Sequence, residues 1–200
     1  MFDEPFRRRF QPAVRPLVTW LAQAGVTPNS VTVLTFVVGL AGALSVVLFG
    51  PTTGVVVWLL SRVGDGLDGA LARVSGQSSA FGGFLDITLD MIAYSAMVLA
   101  FSLVHPEQAL GWCAVLAGYV IVITTTLALS DAARGRGTTV STTDRTFQFT
   151  RGLTEAGETN AVYVVWALFP EQLYWTVWVW VALLIATGGQ RMWTASRALC

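Results

Sequence analysis

Four aspartates, Asp65, Asp68, Asp86 and Asp90, stand in stretches that are otherwise almost wholly apolar. Asp65 and Asp68 are three residues apart and Asp86 and Asp90 four, so on helices each pair projects from one face. An ionisable group at membrane depth costs at least about 2.5 kcal/mol, so four of them need compensation. The turn Ser75-Gly76-Gln77-Ser78-Ser79 makes the two helices antiparallel neighbours, on which the carboxylates converge. The chain has no lysine, so the repulsion must be relieved by shared protons or bound cations. With neither His nor Cys in the group, the donors are all oxygen and select hard ions, magnesium first and manganese second. Four carboxylates suffice to bridge two such ions, the arrangement that stabilises attacking and leaving oxygens in phosphoryl transfer. Gly66, Gly69, Gly82 and Gly83 leave backbone open to a bulky ligand, and Arg73 can fork onto phosphate oxygens. Arg62, one turn before Asp65, reads as a structural counter-charge.

The elements that must carry this chemistry follow from composition. The 200 residues are 54% hydrophobic and only 12% charged, outside the range of an average soluble domain. A spanning helix needs about 20 mostly apolar residues, and six stretches are expected: 30–49, 51–74, 80–104, 109–129, 153–168 and 174–187. The expected fold is an all-α integral membrane protein, one domain over 1–200, with an interfacial segment at 1–27 and a six-helix bundle at 28–200. An even number of spans puts both termini on one side. All 12 basic residues are arginine, and none falls in the expected outer turns, which carry His105, Glu107 and Glu171. The positive-inside bias then makes the termini and the hydrophilic segment 132–149 cytoplasmic.

Other residues are expected to serve structure. Phe10, Val14, Leu17, Val18 and Leu21 recur at helical spacing between arginines and prolines, the pattern of an amphipathic helix lying on the membrane surface. No cleavable signal peptide is expected. Cys113 is expected to be buried, and it and Cys200 to form no disulfide. Trp166, Tyr174, Trp175, Trp178 and Trp180 read as interfacial anchors and packing. Gly39 with Ala43, and Ala114 with Gly118, have the small-residue spacing that lets helices approach. His105 is placed far from the aspartates.

The run Asp65-Gly66-Leu67-Asp68-Gly69-Ala70-Leu71-Ala72-Arg73, then Gly82, Asp86 and Asp90 at fixed spacing, resembles the signature of the CDP-alcohol phosphotransferase family, with every fixed position filled. The family's six-helix layout agrees with the spans read above. The resemblance implies that Asp65, Asp68 and Asp86 are metal ligands for Mg2+ or Mn2+, with two ions expected. Asp90 is implied both to touch metal and to take the proton from an acceptor hydroxyl. It further implies that Gly69, Ala72, Arg73, Ser79 and Gly82 line the CDP-alcohol, and that Pro28, Asn29 and Thr32 contact its nucleotide. The implied reaction is in-line attack on the β-phosphorus of a CDP-alcohol with departure of CMP, in phospholipid biosynthesis. A homodimer is also implied.

The expected donor is CDP-diacylglycerol and the expected acceptor a phosphorylated polyol, glycerol 3-phosphate or inositol phosphate. Arg134, Arg151 and Glu155 are candidate acceptor contacts. Glu155 and Glu158 read equally well as acids complementing a helix N-terminus. One alternative is a soluble CDP-amino-alcohol donor with a diacylglycerol acceptor. Outside enzymes, intramembrane acids also mark divalent-cation channels and transporters, although such a path has no need of the glycines or Arg73. Nucleic acid is not an expected partner.

Overall fold

The computed structural model describes residues 14–135 and 154–199, and among these every regular element is helical. Arg7, Arg8, Arg9, Phe10, Arg136, Arg145 and Arg151, most of the hydrophilic segment, and the side chain of Arg134 lie outside the described residues. The chain divides into two compact units, residues 2–106 and residues 107–200.

The N-terminal unit contains α1 (14–23), α2 (Pro28–Phe49), α3 (Pro51–Ser75) and α4 (Ala80–Val104). Local chemistry sets each boundary. Thr27 caps α2 by accepting from the Ser30 amide, and Pro28 follows at the helix start, where its missing N–H costs nothing. Gly50 joins α2 to α3, with Pro51 again opening the helix. At the other end of α3, Gly76 takes the left-handed conformation (φ 68°) that ends a helix and that side chains other than glycine resist. Ser79 then caps α4 through a 3.0 Å bond from the Gly82 amide.

Helix α2 packs against both α3 and α4. Its tightest approach to α3 is one turn from the expected Gly39–Ala43 pair. A Cβ on Gly54 would lie 2.5 Å from the Val46 amide nitrogen, so only glycine lets the two backbones close. Helix α1 seats Val18 among Val31, Ala70 and Leu71 while Leu17 and Trp20 stay exposed.

The C-terminal unit holds α5 (Ala109–Gly135), α6 (Ala156–Leu168) and α7 (Leu173–Leu199), with α5 packed along α7. Its interior is aromatic. The Trp112 and Trp166 rings meet edge-on with centroids 5.1 Å apart, Tyr163 lies 5.5 Å from Trp166, and the Tyr119 and Tyr163 hydroxyls are 3.0 Å apart. Of the expected interfacial aromatics, Trp166 and Trp180 are buried in this core, whereas Tyr174 and Trp175 are exposed. Cys113, expected to be buried, is exposed. An apolar residue on a membrane helix can face lipid as well as protein, so an apolar neighbourhood in sequence does not imply burial.

Among the described residues, four helical segments are long and apolar enough to cross a membrane: Pro28–Phe49, Ala80–Val104, Pro106–Ala132 and Pro170–Arg197. Helix α3 has the length, at 25 residues, but carries Arg62, Asp65, Asp68 and Arg73. Helix α6 is 13 residues long, about 20 Å at 1.5 Å per residue and short of a hydrocarbon core of about 30 Å.

Candidate metal centre

Within the N-terminal unit, α3 supplies Asp65 and Asp68 and α4 supplies Asp86, and one ligand oxygen from each lies within 4.8 Å of the others. The set suits a hard cation. Octahedral oxygen coordination at 2.0–2.1 Å puts opposite ligands about 4.2 Å apart, so small inward rotations close three carboxylates on one ion. Asp68 is buried and already oriented: its Oδ2 accepts from the Thr32 hydroxyl at 2.6 Å and its Oδ1 from the Gly69 amide at 2.5 Å. Such partners of a ligand fix its geometry and usually matter nearly as much as the ligand itself.

The fourth aspartate is tied to Arg62 beside the cluster. Asp90 Oδ1 accepts from Arg62 Nη1 at 2.5 Å, and the same nitrogen lies 3.9 Å from Asp65. The Arg62 side chain is only 8% exposed. Its guanidinium lies 4.4 Å from the Trp58 ring centre and 5.5 Å from that of Tyr94, and its Nε donates to the Ser61 hydroxyl at 3.2 Å. Arg62 is therefore the counter-charge read from the sequence, directed first at Asp90.

Several other residues expected to contact substrate lie in the same unit. Arg73 is exposed near the end of α3, with Nη1 3.5 Å from where a Cβ on Gly69 would stand, so the guanidinium lies over Gly69. Asn29 Oδ1 and Ser79 Oγ lie 3.1 and 3.2 Å from the corresponding point on Gly82, which puts Asn29, Ser79 and Gly82 together. Ala72 is half-buried. Pro28 is buried, and the buried Thr32 hydroxyl faces Asp68. In the other unit, Glu155 and Glu158 form a capping box at the start of α6, the Glu155 amide donating to Glu158 Oε2 at 3.1 Å.

The pattern that defines the CDP-alcohol phosphatidyltransferases matches residues 25–188. This chain belongs to that family. It is 34% identical over 198 residues to the inner membrane protein YnjF of Escherichia coli K12, a match covering 97% of this chain and 95% of that one. It is 29% identical over 197 residues to a phosphatidylinositol phosphate synthase of Mycobacteroides abscessus, covering 93% and 84% of the two chains. The fold matches a crystal structure of the Mycobacterium tuberculosis phosphatidylinositol phosphate synthase with CDP-DAG bound, with a TM-score of 0.67 over 90% of this chain and 92% of that chain at 24% identity. A second structure of that enzyme, with manganese and citrate, matches with a TM-score of 0.69 over 90% and 87%. As a member of the family the protein is a membrane enzyme, a CDP-alcohol phosphotransferase of phospholipid biosynthesis, and a cation channel is set aside.

Sequence reasoning missed two features of the site and one of the C-terminal unit. The Thr32–Asp68 bond joins residues 36 apart, and no local pattern announces it. The aromatic faces around Arg62 do leave a trace, because Trp58 stands four residues before Arg62 and Tyr94 four after Asp90. The third is Arg191, which is buried in the C-terminal unit. Its Nη1 donates to the Val122 carbonyl at 2.8 Å and to the Thr126 hydroxyl, while Nε has no hydrogen-bond partner.

Proposed function

We propose that this enzyme transfers a phosphatidyl group from CDP-diacylglycerol to the hydroxyl of a phosphorylated polyol, with inositol phosphate ahead of glycerol 3-phosphate, and releases CMP. The observation that carries the reading is the convergence of Asp65, Asp68 and Asp86 within 4.8 Å, in the unit that also holds Arg73 and Gly82. Relatives named as phosphatidylinositol phosphate and archaetidylinositol phosphate synthases favour the inositol acceptor.

In this reading Asp65, Asp68 and Asp86 hold Mg2+ or Mn2+, with two ions taken from the family likeness. The cation, when bound, neutralises the diphosphate and the charge that develops on the departing CMP. Arg73 reaches the diphosphate over Gly69 and Ala72, while Pro28, Asn29, Thr32, Ser79 and Gly82 border the nucleotide. Thr32 acts in part through Asp68. Asp90, whose Oδ1 is held by Arg62, touches metal and accepts the proton of the attacking hydroxyl. Holding donor and acceptor in line supplies much of the rate.

Arg134, Arg151 and Glu155 are the acceptor candidates, Glu155 sharing that role with its capping bond. We further propose one domain of six spans over residues 1–200, with α1 on the membrane surface, both termini cytoplasmic, and assembly as a homodimer.

The test is CMP release by the purified enzyme from CDP-diacylglycerol with Mn2+ or Mg2+ against inositol phosphate, glycerol 3-phosphate and serine. Release with inositol phosphate alone supports the reading. Release only from a soluble CDP-amino-alcohol with diacylglycerol overturns it.

A further inference from the structure

Helix α1 carries an arginine for which the metal centre and its expected substrate contacts have no use. Val14 and Val18 seat α1 against Ala70 and Leu71 of α3, and the Thr19 hydroxyl donates to the Arg15 carbonyl at 2.8 Å within the same turn. Docking of that face fixes where Arg15 stands. It shares a cavity of about 170 Å³ with Arg73, walled by Val14, Val18, Ala70 and Val74. Both arginines are exposed, so a ligand can enter between them. Two guanidiniums turned to one small cavity repel, and a phosphate between them converts the repulsion into charge-assisted, forked contacts.

The place of the cavity on α3 narrows the kind of phosphate. Arg73 Nη1 lies 3.5 Å from the Cβ point of Gly69, and Gly69 follows Asp68 of the carboxylate cluster. Ala70 and Val74 each lie about 100° further round the helix than Gly69 and Arg73, on the side that meets α1. The Arg73 guanidinium therefore stands between the cation site and the α1 cavity, and two phosphates in series reach both sides of it. From this placement we infer that Arg15 is a second phosphate-binding residue for the donor, closing with Arg73 on the diphosphate of the CDP-alcohol and making α1 part of the donor site. The inference rests on the proposed reaction and adds to it a substrate contact from outside the signature. Loss of Arg15 lowers affinity for the diphosphate and leaves the cation ligands intact.

The measurement is calorimetric affinity for CDP with Mg2+, on the full chain purified in detergent, for wild type, Arg15→Gln and Arg15→Met, the second keeping an apolar stem. Both variants are expected to bind CDP about tenfold more weakly and to raise the KM for CDP-diacylglycerol by the same factor with kcat unchanged. Mn2+ affinity and unfolding temperature are expected to stay at the wild-type values. A loss of CDP affinity matched by a lower unfolding temperature, or failure of both variants to fold, overturns the inference, because Arg15 then serves only the docking of α1. An unmoved CDP affinity, with loss of the thermal stabilisation given by phosphatidylglycerol in bilayer discs, assigns Arg15 to a bulk lipid phosphate and overturns it too. Absence of CDP binding in the wild type overturns the proposed reaction and this inference together, whereas wild-type binding that neither variant weakens overturns this inference only.

Discussion

In the N-terminal unit the buried side chains include Thr32, Thr35, Ser61 and the carboxylate Asp68, whereas the C-terminal interior sets Trp112, Tyr163, Trp166 and Trp180 beside buried hydroxyls such as Thr126, Thr159 and Thr187, with Arg191 a buried cation. The first unit closes its helices through glycine, with Gly54 against the Val46 backbone. The second also brings α5 and α7 together at Gly111, Gly118 and Gly188, but there a Cβ would meet the side chains of Val177, Leu184 and Ile121 and not backbone, and large rings fill the interior. Close backbone packing leaves short polar side chains room to meet across helices, which is how Thr32 of α2 reaches Asp68 of α3. Aromatic packing instead fills space and buries large apolar area. The same apolar composition thus yields a unit that gathers carboxylates and a unit that gathers rings.

Three substitutions test that division, in falling order of effect. Asp68→Asn removes a charge from the cluster and is expected to lower CMP release about a thousandfold while thermal unfolding stays near that of the wild type. A matching loss of fold would show that the carboxylates are structural and would break the contrast. Trp166→Ala, which empties a fully buried site, is expected to cost about 3–5 kcal/mol of stability, seen as a lower unfolding temperature in detergent, with Mn2+ affinity of the surviving folded protein unchanged. Thr32→Val keeps the shape and deletes the 2.6 Å bond to Asp68. It is expected to weaken Mn2+ binding about tenfold with little change in unfolding temperature, and an unchanged affinity would show that Asp68 is oriented without α2.

Much of the N-terminal unit was legible because its signals are local. Gly50-Pro51, Gly76 and Ser79 mark helix ends by backbone chemistry, and the spacings 65/68 and 86/90 put each carboxylate pair on one helical face. Spacing does not give the rotation of one helix relative to another. It therefore could not show that Asp90 is bonded to Arg62, 28 residues away. The burial of Trp166 and Trp180, against the exposure of Trp175 and Cys113, was equally beyond reach. In lipid both faces of a helix are apolar, so the amphipathic contrast that separates core from surface in water is absent. The site itself explains why α3 escapes an apolarity criterion, since the charges that do the chemistry lie within its helix.

Gly76 and the Ser79 cap turn the chain between α3 and α4 in a few residues, and this bears on how the enzyme is made. Ends joined by so short a loop meet at little entropic cost, and contacts near in sequence form fast. All three clustered carboxylates belong to this one helical hairpin, so the cation site can assemble as soon as the hairpin is inserted, before the rest of the chain has been synthesised.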